Sequence, residues 1–366
     1  MDMYRWHHPH PVLADALPAE SHVPRHKCIL VTIMKNEAPY IVEWATYHYA
    51  LGFREILVFS NHSDDYTDQI LDRLDDLGIV RHRPHPINTF ASVGQVTISA
   101  LRFATCFSQY RDSDYMMMMD ADEFLEIGTG DHDLDAFFDR CGPFAAASFL
   151  MRGMRAKDNT RIEDGNMLDR FRETGWVRPD PDAPPREVRG SVKTLALSRF
   201  PGGFHRNHRP MSKKFSQLGL RWIDGGGNEM PPEFTDQRVS SVKYSDRDQI
   251  GIVNHYALRS KESFMVKVDR GASSANDRKV LDDAALQKWT KYWTGRMKAG
   301  STPEHQQFRP PAFDALAEHI RRDSIIAELQ EAALATHRAK ARAMLDTEGG
   351  ARIAKAIGLD PAELAG

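Results

Sequence analysis

Along the first 150 residues, short apolar runs alternate with stretches whose apolar positions recur at helical spacing. Cys28-Ile29-Leu30-Val31-Thr32-Ile33-Met34 reads as a strand covered on both faces. Behind it, Ile41, Trp44, Ala45, His48 and Leu51 repeat with a helical period until Gly52, and Asn36 is the expected N-cap. Glu55 to Ser60 predicts a second strand. Ile70, Leu71, Leu74 and Leu77 then predict a helix that stops at Gly78, and Ile79-Val80-Arg81 a short third strand. A helix over roughly Gln95 to Phe107, a strand through Tyr115 to Met119, a helix near Leu134 to Arg140 and a strand from Ala145 to Met151 continue the alternation. This pattern predicts an α/β fold, a doubly wound and mainly parallel sheet with right-handed crossovers.

Beyond Arg152 the pattern weakens into a charged, proline-rich loop region extending to about Pro185. It returns as strands at Ser191 to Ser198 and Ile252 to Tyr256, with polar turns at 204–210 and 222–227 between them. A helix begins near Ser260, and from Ala312 onward the chain reads as charged helices. The expected organisation is a leader over 1–24, one α/β domain over 25–275 and a helical C-terminal appendage over 276–366.

The most informative polar positions follow the methionine run, where Asp120-Ala121-Asp122-Glu123 places three carboxylates within four residues. In open α/β sheets, ligands bind beyond the carboxyl ends of the strands. Asp120 and Asp122, two apart, would point to one side of a continuing strand and could meet a hard cation or a metal-bound diphosphate. Glu123 would face the other way. Met116 to Met119 read as core, because hard cations take oxygen rather than thioether ligands.

Composition narrows the classes. Apolar residues make up 41% and charged residues 27%, ordinary for a globular protein, and the net charge of -3 gives no general argument for nucleic acid. The widely spaced Cys28, Cys106 and Cys141 favour reduced, buried thiols over disulfides or a zinc site. No signal-like or membrane-spanning stretch is read, so a cytoplasmic protein is expected, with peripheral contact at the inner face of a membrane left open.

An ordered set of short motifs goes further. Lys35-Asn36-Glu37, Glu43-Trp44, His48, Gly52, Ser60-Asn61-His62-Ser63-Asp64-Asp65, Gln95, Asp120-Ala121-Asp122-Glu123-Phe124-Leu125 and Asn254-His255-Tyr256 with Ser260 and Lys267 occur in one order. That order resembles the family-2-like, GT-A-fold glycosyltransferases related to glycosyltransferase family 92, over roughly residues 28 to 272. The resemblance implies an inverting enzyme that moves a sugar from a nucleotide-sugar, a UDP-sugar by preference, with Mn²⁺ or Mg²⁺. Its partners would be that donor and a glycan or other hydroxyl acceptor, as in surface polysaccharide synthesis. It implies Asp122, Asp120 and His255 as metal ligands, Asp120 also reaching the nucleotide. Lys35, Asn36, Glu37, Asn61, Asp65 and Gln95 would contact the nucleotide-sugar, and Lys193, Lys267 and His208 are diphosphate candidates by charge.

Inversion by direct displacement needs a carboxylate base at the acceptor hydroxyl. Asp158, Glu163, Asp164 and Asp224 are candidates, Asp158 and Asp164 first among them. Two other classes compete. A nucleotidyltransferase would also use paired carboxylates and metal, but should carry a glycine-rich basic loop where this chain has Lys35-Asn36-Glu37. A non-catalytic nucleotide-sugar or carbohydrate-binding protein would keep the fold without turnover.

Overall fold

The computed structural model describes residues 24–85, 96–156, 158–174, 187–237, 241–245, 249–271, 281–297 and 304–364. Its first half follows the predicted alternation: β1 (Cys28–Met34), α1 (Ala38–Leu51), β2 (Glu55–Ser60), α2 (Thr67–Asp76), β3 (Arg81–Pro84), α3 (Val96–Ala104), α4 (Ser108–Arg111) and β4 (Tyr115–Met118). Next come β5 (Glu123–Ile127), α5 (Leu134–Cys141), β6 (Ala146–Gly153), α6 (Met167–Arg170) and β7 (Glu187–Leu197). Short elements follow, β8 (Gly203–Phe204), β9 (Met211–Ser212), β10 (Trp222–Asp224), α7 (Pro232–Thr235) and β11 (Ser241–Ser245). The chain then passes through β12 (Gly251–His255) and α8 (Lys261–Arg270) to α9 (Asp283–Met297), α10 (Phe313–Arg321), α11 (Ser324–Leu345) and α12 (Glu348–Ala356).

The main sheet runs β3-β2-β1-β4-β7-β6-β12-β5, with β10 on β6 and β11 on β7. β1 pairs in parallel with β2 and β4, and β6 with β10 and β12. β7 is antiparallel to both β4 and β6, so those two strands share one direction. The expected α/β class, with a mainly parallel sheet and a helical C-terminal region, is met.

The uninterrupted apolar runs have a simple cause. On β1, Cys28, Leu30 and Met34 face one core while Ile29, Val31 and Ile33 face another, and the methionines of β4 divide the same way, Met117 against Met116 and Met118. Helices cover both faces, so neither set of alternating side chains is free to be polar. The methionine run is core, as expected.

Local details differ from the sequence reading. The N-cap residue of α1 is Glu37, without a side-chain cap bond, and not Asn36. Asn36 sits in the left-handed region at φ 50°, a conformation that Asn tolerates better than most side chains. The capping is done from the exit of β2, where an Asp65 carboxylate oxygen accepts from the Ala38 N–H at 3.1 Å. The third strand starts later than expected, at Arg81. The acidic stretch leads directly into a strand of its own, because β5 pairs antiparallel with β12 and sets Glu123 opposite His255. Cys28 is buried as expected, but Cys106 is exposed; both, with Cys141, are free.

The C-terminal helices share cores with the sheet layer. Phe313, Leu316 and Ile320 of α10 join the core that includes Trp44 and Tyr47, and α11 and α12 pack with α8 and α9. Among the described residues, no helix is long and apolar enough to cross a membrane.

Glu43, on α1, shows how polar groups are buried here. Its two carboxylate oxygens accept from the Met167 and Leu168 N–H groups at 2.7 and 2.9 Å. Burial nevertheless pushes its carboxyl from an ordinary 4.5 up to about 7, against those two donors. A raised carboxyl means that the folded state binds the proton more tightly than the unfolded one. Its contribution is therefore fully present below about pH 4.5 and is lost as pH rises through about 7, a change of up to about 3 kcal/mol. Urea unfolding at pH 5 and pH 7.5 should give a flatter pH dependence for Glu43→Gln than for the parent chain; equal slopes would refute this account.

Candidate functional site

Strand direction gathers the candidate residues. β1, β2, β4, β6 and β12 all end at the same edge of the sheet, and β5 begins there. The turn from Met119 to Asp122 crosses this edge and is fixed from beneath. The buried Trp44 indole N–H donates to the backbone carbonyls of Asp120, at 3.1 Å, and Glu123, at 2.9 Å. The Glu123 carboxylate in turn accepts from the Asp120 N–H at 2.8 Å. A loop tied at both its ends holds its side chains in place without help from a ligand.

The two aspartates have different environments. Asp122 is largely buried. Lys267 Nζ donates to its Oδ2 at 2.8 Å, and His255 Nε2 lies 3.5 Å from its Oδ1. Burial alone would raise this carboxyl, but Lys267, His255 and Arg259 more than offset it and hold it well below the usual carboxylate range. The Asp120 side chain is 43% exposed and receives Lys193 Nζ at 3.2 Å. Lys193 is fully buried on β7 and also meets Glu123 at 2.9 Å and Asn207 Oδ1 at 2.8 Å. Burial works against the Lys193 charge, yet the Asp120 and Glu123 carboxylates hold its ammonium above the ordinary lysine value. Burial pushes Glu123 up to about 7 in spite of Lys193. His208 lies over the same group, its Nδ1 3.1 Å from the Val192 carbonyl oxygen.

The result is a patch of alternating charge. Asp120, Asp122, Lys193, Lys267, His208 and His255 come together, as the sequence reading expected of the first four and of the two histidines. Lys193 does so from a buried position, where a lone lysine in a strand would more often point to solvent.

As a metal site the arrangement is incomplete by itself. Among the described residues, no three carboxylate, imidazole or thiol groups converge on one point. Asp122 and His255 stand at a separation two ligands of one ion could have, and an oxygen and nitrogen donor set fits Mn²⁺. Asp120 is instead turned toward Lys193.

The exits of β1 and β2 need several corrections. Glu37, expected at the nucleotide, is a buried counter-ion: one carboxylate oxygen takes Arg259 Nη1 at 2.6 Å and the other takes Arg270. Burial opposes its charge, and the two guanidiniums still hold its carboxyl below the ordinary value. Arg270 also donates to the Lys35 and Asn36 carbonyl oxygens. The Asn36 side chain is spent on Asp64, donating to its carboxylate at 2.5 Å and accepting from its N–H at 2.9 Å. Asp65 is fully buried and committed to α1, α2 and α11, since it accepts from Ala38 N, from Thr67 N at 3.0 Å and pairs with His337 at 2.6 Å. Lys35 is buried at the same exit. Asn61 is the exception: its amide nitrogen and oxygen are both buried and have no partner among the described residues. Gln95 lies outside the described residues.

The base candidates are dispersed. Asp158 and Asp164 are exposed, and no described contact joins either to the Asp120–Asp122 turn. Glu163 is exposed and pairs with Arg170 at 3.2 Å. Asp224 is buried and closes its own turn, accepting from the Gly226 and Asn228 N–H groups and from Gln249, so it is a structural residue.

Sequence reasoning missed the supports. The sequence places Trp44 on a helical stripe and in a motif, Arg270 on the basic face of a helix and Asn207 in a polar turn, none of them as a support of the site, and it does not mark Arg259 at all. Arg259 and Glu37 are 222 residues apart, so no local pattern connects them. Trp44 could have been found as the one indole on the apolar stripe of α1, since a buried indole N–H requires an acceptor.

Residues 28–178 match Glycosyltransferase family 92. A family 92 protein of Ricinus communis is 26% identical over 122 residues, 32% of this chain and 20% of that protein. Another, from Oryza sativa subsp. japonica, is 27% identical over 105 residues, 28% of this chain and 16% of that protein. The chain thus spans a fifth or less of the length of these curated relatives. Among solved structures, S. aureus TarS 1-349 in complex with UDP-GlcNAc overlaps 93% of this chain and 82% of its own, at 11% identity and a TM-score of 0.32. That is a distant likeness, and the relationship rests on the sequence match. Through residues 28–178 the chain is related to glycosyltransferase family 92.

Proposed function

We propose that this chain is a glycosyltransferase that binds a nucleotide-sugar at the carboxyl edge of the sheet and transfers the sugar, with inversion, to a hydroxyl acceptor. The observation that carries the reading is Asp122: a buried carboxylate kept ionised by Lys267 and flanked by His255, at the end of β4 within the family-92 segment. Breaking a sugar-diphosphate bond leaves a multiply charged leaving group, and the site must stabilise that charge as it develops. Lys193, Lys267 and His208 supply positive charge or donors from fixed positions, so little reorganisation is needed when the bond breaks. A divalent cation would be held by Asp122 and His255, and when bound would supply Lewis-acid stabilisation of the diphosphate oxygens. Asp120, exposed beside them, would reach the nucleotide. The unpartnered amide of Asn61 supports a polar contact at the exit of β2, where burying an unpaired amide is otherwise costly.

The family relationship favours a sugar donor over the nucleotidyltransferase alternative. The test is turnover: the full chain is incubated with a panel of nucleotide-sugars, UDP-sugars among them, with and without Mn²⁺. Release of nucleoside diphosphate from one or more donors, stimulated by the metal, is the expected result. Binding without release, whatever acceptor is offered, would instead support the binding-protein reading.

A further inference from the structure

A second surface adjoins the catalytic candidates on the side of His208 and Asn207. Residues 199–223 contain six basic side chains, Arg199, Arg206, Arg209, Lys213, Lys214 and Arg221, and no Asp or Glu, in a chain whose net charge is -3. Arg209 is buried against Trp222 and Phe234, but Arg199, Lys213 and Lys214 are exposed. The same stretch holds three large apolar side chains turned to solvent, Phe204 at 56%, Leu218 at 41% and Leu220 at 42% exposure. β8 and β9 form a hairpin that presents Phe204, and Leu218 lies beside Gly202 at its base.

Across from the hairpin, α3 and α4 complete a cavity of about 600 Å³. Leu101, Phe200 and Phe204 form part of its wall, and Arg102, Arg111 and Arg199 stand around them. These three arginines, with Lys213 and Lys214, have no carboxylate within ion-pair distance among the described residues. Of the acids that touch the segment, Asp236 is turned to Ser216 and Glu229 stands 3.8 Å from Arg221. Apolar groups that protrude among unpaired cations suit an interface with an apolar layer below a layer of anions. They suit a purely polar polyanion less well, since it would leave Phe204, Leu218 and Leu220 in water.

We propose that residues 199–221, together with α3 and α4, seat the protein on an anionic lipid bilayer. Phe204, Leu218 and Leu220 enter the interfacial layer, and Arg102, Arg111, Arg199, Lys213 and Lys214 meet lipid phosphates. The seat is linked to the functional edge, because Asn207, three residues beyond Phe204, accepts from Lys193.

The experiment is co-sedimentation of the full chain with phosphatidylcholine vesicles, with and without a large fraction of phosphatidylglycerol. Two variants accompany it, Phe204→Ser/Leu218→Ser and Lys213→Glu/Lys214→Glu. The proposal expects binding to the anionic vesicles only, weakened by salt and by about tenfold or more in each variant. Thermal melting reports whether each variant is folded; if the apolar pair fails to fold, the charge pair, whose side chains are exposed, decides alone. Three results would overturn the proposal: no sedimentation with anionic vesicles, unchanged sedimentation of the folded variants, or binding to dextran sulfate in the absence of vesicle binding. The last would assign the surface to a soluble polyanion.

Discussion

Asp122→Asn is expected to lower nucleoside diphosphate release from the donor sugar by about 10²-fold or more, the scale for losing one preorganised electrostatic group. The substitution keeps the shape of the side chain and removes its charge. Three consequences follow together. Lys267, now paired with Asp122 at 2.8 Å, loses its carboxylate partner. His255 loses the carboxylate 3.5 Å away. Any cation at the site loses its anionic ligand, so the developing charge on the diphosphate is less well stabilised. The fold should persist, because the turn is held by backbone contacts that the substitution does not touch: Trp44 to the Asp120 and Glu123 carbonyls, and the Tyr256 N–H to the Asp122 carbonyl at 2.7 Å. Unchanged circular dichroism with lost turnover is therefore the expected pair of readings. Undiminished turnover by the folded variant would remove Asp122 from the chemistry.

The largest effect on stability is expected at Glu37. Its carboxylate is buried between Arg259 and Arg270, and Arg259 also stacks over the Tyr40 ring at 3.7 Å. Glu37→Ala would leave two buried guanidiniums without their counter-ion, which costs about 3–5 kcal/mol when one partner of a buried pair is removed. The residual bonds of Arg259 to the Ala121 carbonyl and of Arg270 to the Lys35 and Asn36 carbonyls limit the loss without replacing the charge. The measurement is the urea midpoint with its slope, comparing Glu37→Ala with Glu37→Gln. The glutamine retains an acceptor for one guanidinium and should lie between the parent and the alanine variant. A shift below about 1 kcal/mol in the alanine variant, the scale of an exposed pair, would show that the triad is not a structural keystone. Because Arg259 also touches the acidic turn through Ala121, the loss of stability should be felt at that turn as well.

The alternation of strand and helix over the first 150 residues was legible because each sheet face is covered, so continuous apolar runs and helical stripes carry the order of elements. The acidic turn was legible for the same reason: polar residues following a buried run mark a strand exit. Its division of labour was not. Sequence spacing put Asp120 and Asp122 on one side as joint ligands, whereas pairing of β5 with β12 bends the chain between them and gives Asp120 to Lys193 and Asp122 to Lys267. The exits of β1 and β2 were recognised as an edge, but Glu37 and Asp65 proved to hold the fold together. Their partners, Arg259, Arg270 and His337, lie more than 200 residues downstream, and a carboxylate looks the same in sequence whether it awaits a ligand or a guanidinium. Lys193 was legible as a diphosphate candidate by its charge, but its burial between Asp120 and Glu123 follows only from the insertion of β7 between β4 and β6.

The central claim is that a nucleotide-sugar is held at the end of β4 through Asp122. Calorimetric titration of UDP into the full chain, with and without Mn²⁺, and into Asp122→Asn, tests it most directly. The account predicts binding that Mn²⁺ strengthens and that the Asp122→Asn variant loses or greatly weakens while remaining folded. Equal UDP affinity for the parent and the variant, indifferent to Mn²⁺, would contradict it.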